Sequence, residues 1–138
     1  MSNLNRRSKF SFLGIAVLAF TGCTTQPKLI AATVEHSGGT QIVNVTLRAA
    51  DARLIKSREL YFSIVVFDCK NPDHGLPIEP YVSGQLATRF KFPIEGEFVT
   101  VRGSIPSDMH LDFKPACVFL EGGGYLFGKL KSDVIPIS

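Results

Sequence analysis

The residues of this chain that could do chemistry are three cysteines, three histidines and scattered acidic side chains. The tightest group lies in DCKNPDH, where Cys69, Asp73 and His74 could approach one metal ion. A zinc site needs a second ligand pair at short spacing, and neither His36 nor His110 supplies one. We therefore expect no metal site and expect the histidines to be solvated residues of loops or strand ends.

Motifs for nucleophilic catalysis, metalloprotease chemistry and nucleotide binding are missing from the sequence. The glycine-rich stretch EGGGYLFG is the nearest approach to a phosphate loop, but a strand-like segment follows it where a helix is required. Consecutive glycines at 122–124 instead predict a turn or bulge that lets another backbone approach. Glu95 and Glu97 flank a predicted turn and are expected to be solvated. We expect no catalytic residue, no enzyme activity and no cofactor.

The first 22 residues have the order of a secretory signal peptide. Arg6, Arg7 and Lys9 form a basic head, and an apolar region of about 11 residues leads to a small-residue exit. That region is well short of the ~20 residues needed to span a bilayer. The alternative, a buried N-terminal helix, lacks a polar face at helical spacing.

The sequence Phe20-Thr21-Gly22-Cys23 resembles the lipobox of bacterial lipoproteins, although Phe20 stands where that family usually carries leucine. The resemblance implies cleavage after Gly22 and a covalent lipid on Cys23, with a thioether-linked diacylglycerol and an acylated amine. Thr24 follows where aspartate would favour inner-membrane retention, so the resemblance implies the periplasmic face of the outer membrane. The predicted organisation is a signal peptide (1–22), a lipidated tether (23–28) and one domain (29–138).

Two further properties follow from this processing. The chain has 15 Lys and Arg against 12 Asp and Glu. Loss of Arg6, Arg7 and Lys9 with the signal peptide would leave a mature chain with no net charge. No basic cluster with interleaved aromatic residues remains, so we expect no nucleic-acid partner. With Cys23 lipidated, Cys69 and Cys117 remain as a pair in an oxidising compartment. A bridge between them would add roughly 4 kcal/mol of stability; two free buried thiols are the alternative.

Strand patterns dominate the sequence after the anchor. QIVNVTLRA alternates apolar and polar residues as a half-buried strand does, and LIAATVEH is a plausible partner across the turn at 37–39. The run 60–67 is apolar on both faces, which predicts a central strand. Residues 85–92, 97–105, 116–122 and 125–131 are further candidates, and PIEGE predicts a tight hairpin with Gly96 at positive φ. The segment 49–59 predicts either a short helix or a polar crossover.

These patterns predict an all-β fold. About seven short strands at regular spacing are typical of a small antiparallel β-sandwich of immunoglobulin or transthyretin type.

A long loop is predicted at 70–84, directly after Cys69, with three prolines and two glycines. Connections of this length are functional or disordered, and prolines lower the entropic cost of binding. Its candidate partner-binding residues are Asp73, His74, Leu76, Ile78 and Tyr81. The alternative is a connection packed down on the sheet.

The lipobox, a single β domain, a cysteine pair and the closing CVFLEGGGYLFGKLKSDVIPI together resemble the immunity lipoproteins encoded beside type VI secretion lipase effectors. The resemblance implies a tethered inhibitor that captures a phospholipase in the periplasm. It adds Gly122, Gly123, Gly124 and Tyr125 to the candidate contacts. Two alternatives are a structural lipoprotein subunit of an envelope machine, such as the type VI outer-membrane lipoprotein, and a carrier of small apolar ligands.

Overall fold

The computed structural model describes residues 23–112, 114–125 and 128–138. The predicted signal peptide (1–22) and Leu126 and Phe127 of the last predicted strand lie outside the described residues. The strands are β1 (Thr24–Thr25), β2 (Leu29–Ser37), β3 (Thr40–Arg48), β4 (Tyr61–Asp68), β5 (Asn71–Ile78), β6 (Tyr81–Val82), β7 (Gln85–Leu86), β8 (Phe98–Ser104), β9 (Ala116–Gly123), β10 (Lys129–Lys131) and β11 (Ile135–Pro136), and the helix is α1 (Ala49–Ser57).

Two sheets share one hydrophobic core, as an all-β sandwich requires. One sheet has the order β1-β10-β9-β4-β5, with β11 also paired to β9, and the other has the order β2-β3-β8-β6-β7. The pairing is antiparallel except between β1 and β10. Six of the strands have seven residues or more, and these carry most of the buried side chains. The predicted all-β sandwich is confirmed.

Along strand β3 of the second sheet, alternate side chains point into the shared core. In β3, Val43, Val45 and Leu47 are fully buried, and β3 pairs with β2 on one side and with β8 on the other. The predicted β2–β3 hairpin is therefore confirmed.

The apolar run that predicts a central strand forms β4, which lies between β5 and β9. Its residues 64–67 are buried on both faces. Cys69, just after β4, is bonded to Cys117 of β9 with 5.1 Å between the Cα atoms. The predicted disulfide is confirmed, and it joins the end of β4 to the beginning of β9.

The segment 85–97 departs from the prediction. Residues 87–92 form no strand, and the predicted PIEGE hairpin is wrong because β8 pairs with β3 instead of with this segment. The chain crosses one end of the sandwich here, where Phe62 donates its N–H to the Thr88 carbonyl at 2.9 Å. Gly96 has the expected positive φ, 76°, but uses it in a loop.

Helix α1 covers that same end, which we call the helix end; the opposite end is the disulfide end. Ala49, Ala52 and Ile55 are buried at helical spacing, which resolves the ambiguous segment 49–59 as a helix. Arg53 and Lys56 hold the crossing segment 87–97 by donating hydrogen bonds to its carbonyl oxygens. No helix in the described part of the chain is long and apolar enough to cross a membrane.

Candidate binding surfaces

The segment predicted as a long loop, 70–84, is mostly strand. Residues 71–78 form β5, which pairs antiparallel with β4 and is the last strand of its sheet. Proline cannot donate a ladder hydrogen bond, and an edge strand tolerates it because one row of its N–H groups needs no strand partner. Pro72 and Pro77 are therefore compatible with β5, and the loop prediction is wrong.

The five candidate residues of this segment differ in how far they are exposed. Asp73 and His74 are exposed, and Leu76 is half-buried against the core. Ile78 is only 5% exposed, so its assignment as a partner contact is wrong: it lies opposite Ile64 in the ladder and faces the core. Tyr81, in β6, is 37% exposed.

Exposed residues of this segment gather along one side of the sandwich. β5 ends one sheet and β7 ends the other, and the short link 79–80 joins β5 to β6 on that side. Tyr81 lies directly opposite Leu86, which is 51% exposed. We call this side the edge surface; it comprises the exposed Asp73, His74, Tyr81 and Leu86 and the half-buried Leu76.

Leu86 is a surface residue that the sequence reasoning missed. Ser83 and Gly84 have φ of 50° and 76°, so they form the two-residue connection of the β6–β7 hairpin. Positive φ at both central residues is typical of a hairpin turn. The Ser-Gly pair in YVSGQL was the signal that could have placed Leu86 beside Tyr81.

The glycine-rich segment serves packing before it turns. Gly122 and Gly123 belong to β9, and a Cβ on Gly122 would overlap the carbonyl oxygen of Tyr61 and lie 2.7 Å from the Cα of Phe62. The turn begins later, where the Gly124 N–H donates to the Gly128 carbonyl at 3.0 Å. Gly122 is therefore a site of close backbone approach and not a turn residue.

The structure does not bring the two predicted contact segments together. Tyr125 is 94% exposed and follows Gly123, which pairs with Tyr61 at the beginning of β4. Asn71 pairs with Asp68 at the other end of β4, roughly 23 Å away along the strand. The Gly122–Tyr125 segment therefore lies at the helix end, and the exposed carboxylate and imidazole of β5 lie toward the disulfide end.

Two cavities open at opposite ends of the sandwich. The helix-end cleft, about 510 Å³, lies between the beginning of α1 and the residues around the start of β8. Ile30, Ala49 and Phe98 form apolar walls, and Arg48 and Arg53 are its cations. A second cavity of about 530 Å³ lies at the disulfide end. Sequence reasoning identified neither cavity, because each is assembled from segments far apart in the chain.

The second cavity has mixed walls. His36 and Lys114 lie at it together with Val34, Leu111 and Ile137. The Leu111 N–H donates to the Gln41 side-chain oxygen at 2.8 Å, so this part of the cavity is fixed by a hydrogen bond.

One ion-pair cluster has a perturbed pKa. The Arg89 guanidinium donates to the Tyr61 hydroxyl at 3.2 Å and contacts the Glu59 carboxylate at 2.8 Å. The Tyr61 hydrogen bond and the Glu59 charge raise the pKa of Arg89. Arg89 is therefore a permanent cation at the helix end.

Polar groups elsewhere are satisfied locally. Within residues 23–112, 114–125 and 128–138, every buried side-chain nitrogen or oxygen has a hydrogen-bond partner. No group of three or more His, Cys, Asp or Glu in those ranges is arranged to hold a metal ion.

The chain matches no family model, no curated protein and no solved structure. These surfaces are therefore assigned from their geometry and chemistry alone.

Proposed function

We propose that this protein is a lipid-anchored periplasmic immunity protein that inhibits a type VI secretion phospholipase by binding it through the edge surface. The observation that supports a binding role is that both sheets end on one side of the sandwich. There the outer side of β5 has no strand partner among the described residues, and Tyr81 and Leu86 expose apolar surface beside it.

Open edges bind proteins by a known route. An extended segment of a partner adds to the sheet through backbone hydrogen bonds, and pockets for alternate side chains give specificity. Tyr81 and Leu86 would supply apolar anchors next to the added segment. A stable inhibitor complex buries about 800 Å² on each partner, so a lipase bound here would contact more of this domain than β5. The domain would in turn cover and block the contacted surface of the lipase.

The disulfide supports the proposed compartment. Disulfides persist in oxidising environments such as the periplasm and are rare in the cytosol. In this proposal the lipid on Cys23 holds the domain at the periplasmic face of the outer membrane, and the protein acts by occupying its partner instead of by catalysis.

Co-purification tests the proposal. The full chain and a periplasmic phospholipase encoded by a neighbouring gene are expressed together, and survival and complex formation are measured. We expect rescue and a complex near one to one. Tyr81→Ala combined with Leu86→Ala should weaken binding by about 100-fold or more, since truncating a tyrosine hot spot costs about 2 kcal/mol and truncating a neighbouring contact about 1 kcal/mol. Met109→Ala, an exposed apolar residue in the connection between β8 and β9, is the control.

Two results would contradict the proposal. Unchanged affinity of the double variant would remove the edge surface from the interface. Failure to bind any phospholipase, together with loss of secretion when the gene is deleted, would assign the chain to the alternative, a structural lipoprotein subunit of an envelope or secretion machine.

A further inference from the structure

The attachment point of the proposed lipid is held against the domain without slack. Thr24 and Thr25 pair with β10, and the Lys129 N–H donates to the Cys23 carbonyl at 3.4 Å. The Thr25 side chain is buried and accepts a hydrogen bond from Arg58 at 2.7 Å. The segment 23–28 therefore lies along the sandwich, and a lipid on Cys23 would bring the helix end to the bilayer surface.

Exposed apolar side chains concentrate at this same end. Of nine large apolar side chains that are exposed in the described ranges, five are at the helix end: Ile30, Leu54, Tyr61, Phe98 and Tyr125. Their position follows from the ladders, since Phe98 pairs with the end of β3 and Tyr61 with the end of β9. Tyrosine and phenylalanine here have the amphipathic or apolar character that suits a membrane interface.

Positive charge surrounds these apolar residues. The helix end carries the cations Lys28, Arg48, Arg53, Lys56, Arg58, Arg89, Lys91 and Lys129. The carboxylates there are Asp51, Glu59, Glu95, Glu97 and Asp133; of these, Asp51 accepts the Lys28 N–H, Glu59 pairs with Arg89 and Asp133 accepts the Leu29 N–H. Within the part of the chain that the structure describes, the side chains of Arg48 and Lys129 make no hydrogen bond or ion pair.

We propose that the helix end is a membrane-docking face that lies on an anionic bilayer, with Tyr125 and Phe98 at the acyl boundary and Arg48 and Lys129 at lipid phosphates. This inference rests on the lipid anchor of the proposed function. Each cation near an anionic membrane surface strengthens binding to that surface. Exposed apolar side chains that enter the interface strengthen it further. The helix-end cleft has related chemistry: Arg48 and Arg53 lie in it beside the apolar walls of Ile30 and Phe98, and their two charges outnumber the one carboxylate in its lining, Glu97.

Docking in this orientation fixes where a partner can bind. The edge surface runs along the side of the sandwich between its two ends, so it stays in the aqueous space when the helix end meets the bilayer. The membrane face and the proposed partner surface thus use different residues, and variants can separate them.

Tryptophan fluorescence tests the face directly, because the chain has no tryptophan. Full-length chains carrying Tyr125→Trp or Leu86→Trp are expressed, extracted as processed lipoprotein and reconstituted into phosphatidylethanolamine–phosphatidylglycerol vesicles with brominated acyl chains. We expect the emission of Tyr125→Trp to shift to the blue and lose most of its intensity. The emission of Leu86→Trp, the matched exposed control, should stay unchanged.

The outcomes distinguish this inference from the anchor on which it rests. Unquenched emission from Tyr125→Trp in protein that stays in the vesicles, or equal quenching at both positions, overturns the docking face and leaves the anchor in place. Processed protein that carries no lipid and stays outside the vesicles overturns the anchor, and the docking face with it.

A charge variant tests the lipid class. Arg48→Gln with Lys129→Gln, added to Tyr125→Trp, should lower the quenching to the level found in vesicles of phosphatidylethanolamine alone. Lys70→Gln, an exposed residue just before β5 near the disulfide end, should leave it unchanged. Quenching that is insensitive to the double variant overturns the assignment to an anionic surface. Loss of phospholipase binding in the double variant would assign the face to the partner instead.

Discussion

Gly122 is a residue at which one methyl group decides whether two strands can pair. Its α-carbon faces the backbone of β4, and a Cβ would overlap the Tyr61 carbonyl oxygen. Backbone cannot move aside as a side-chain end can. We expect Gly122→Ala to lower the free energy of unfolding by about 3 kcal/mol, the upper end of the range for overpacking, measured by urea denaturation.

Gly103 supplies the matched control, because it is also an inward-facing glycine within a strand. A Cβ there would meet the side-chain ends of Ile78 and Ile64, at 2.8 and 3.1 Å. These methyl groups can shift, so Gly103→Ala should cost about 1 kcal/mol. Equal losses in the two variants would show that β4 accommodates the methyl group and would contradict the close approach inferred at Gly122.

At the scale of elements, local sequence patterns predicted the long strands that pack on the core. β8 alternates cleanly because one face packs on the core, and β3 alternates apolar with polar residues although Asn44 is also buried. β4 is apolar on both faces because neighbouring strands and side chains cover it. The strand β5 was missed because its two prolines favour a loop, and they are tolerated only because β5 is an edge. Which strand is an edge depends on pairing between distant segments, which local periodicity does not contain.

Only part of the candidate site follows from the sequence. Asp73, His74 and Tyr81 are exposed where a contact needs them, whereas Ile78 faces the core because side chains alternate along a strand. Leu86 and the helix-end cleft come from a hairpin and from a helix–strand junction. Each of these joins residues that the sequence alone does not place side by side.

The placement of Ile78 leads to a prediction for β5 as an element. Ile78→Ala should lower the free energy of unfolding by about 2 to 4 kcal/mol, since it removes buried methyl groups and leaves a cavity. Asp73→Ala, on the exposed part of the same strand, should change it by less than about 0.5 kcal/mol. Both values come from urea denaturation, and an Ile78→Ala variant as stable as Asp73→Ala would mean that β5 does not pack on the core.

At the scale of the whole molecule, the disulfide and the proposed lipid lie at opposite ends of the sandwich. Cys69 and Cys117 join β4 to β9 at one end, while Cys23 meets β10 at the other. Residues 23–138 carry 12 Lys and Arg against 12 Asp and Glu, yet many of these cations gather at the helix end. In the proposed function, this asymmetry places one end of the molecule against the membrane and leaves its side open to a partner.

The proposed anchor can be separated from the fold, because among the described residues Cys23 contacts the domain through a hydrogen bond to its backbone carbonyl while its thiol is exposed. Cys23→Ala should abolish incorporation of labelled palmitate and leave the free energy of unfolding within about 0.5 kcal/mol of the parent domain. Thr25→Val should do the reverse: it keeps the lipid but loses the hydrogen bond from Arg58, costing about 1 kcal/mol. Palmitate label that persists in Cys23→Ala would place the lipid elsewhere on the chain, and the orientation proposed for the helix end would then have no basis.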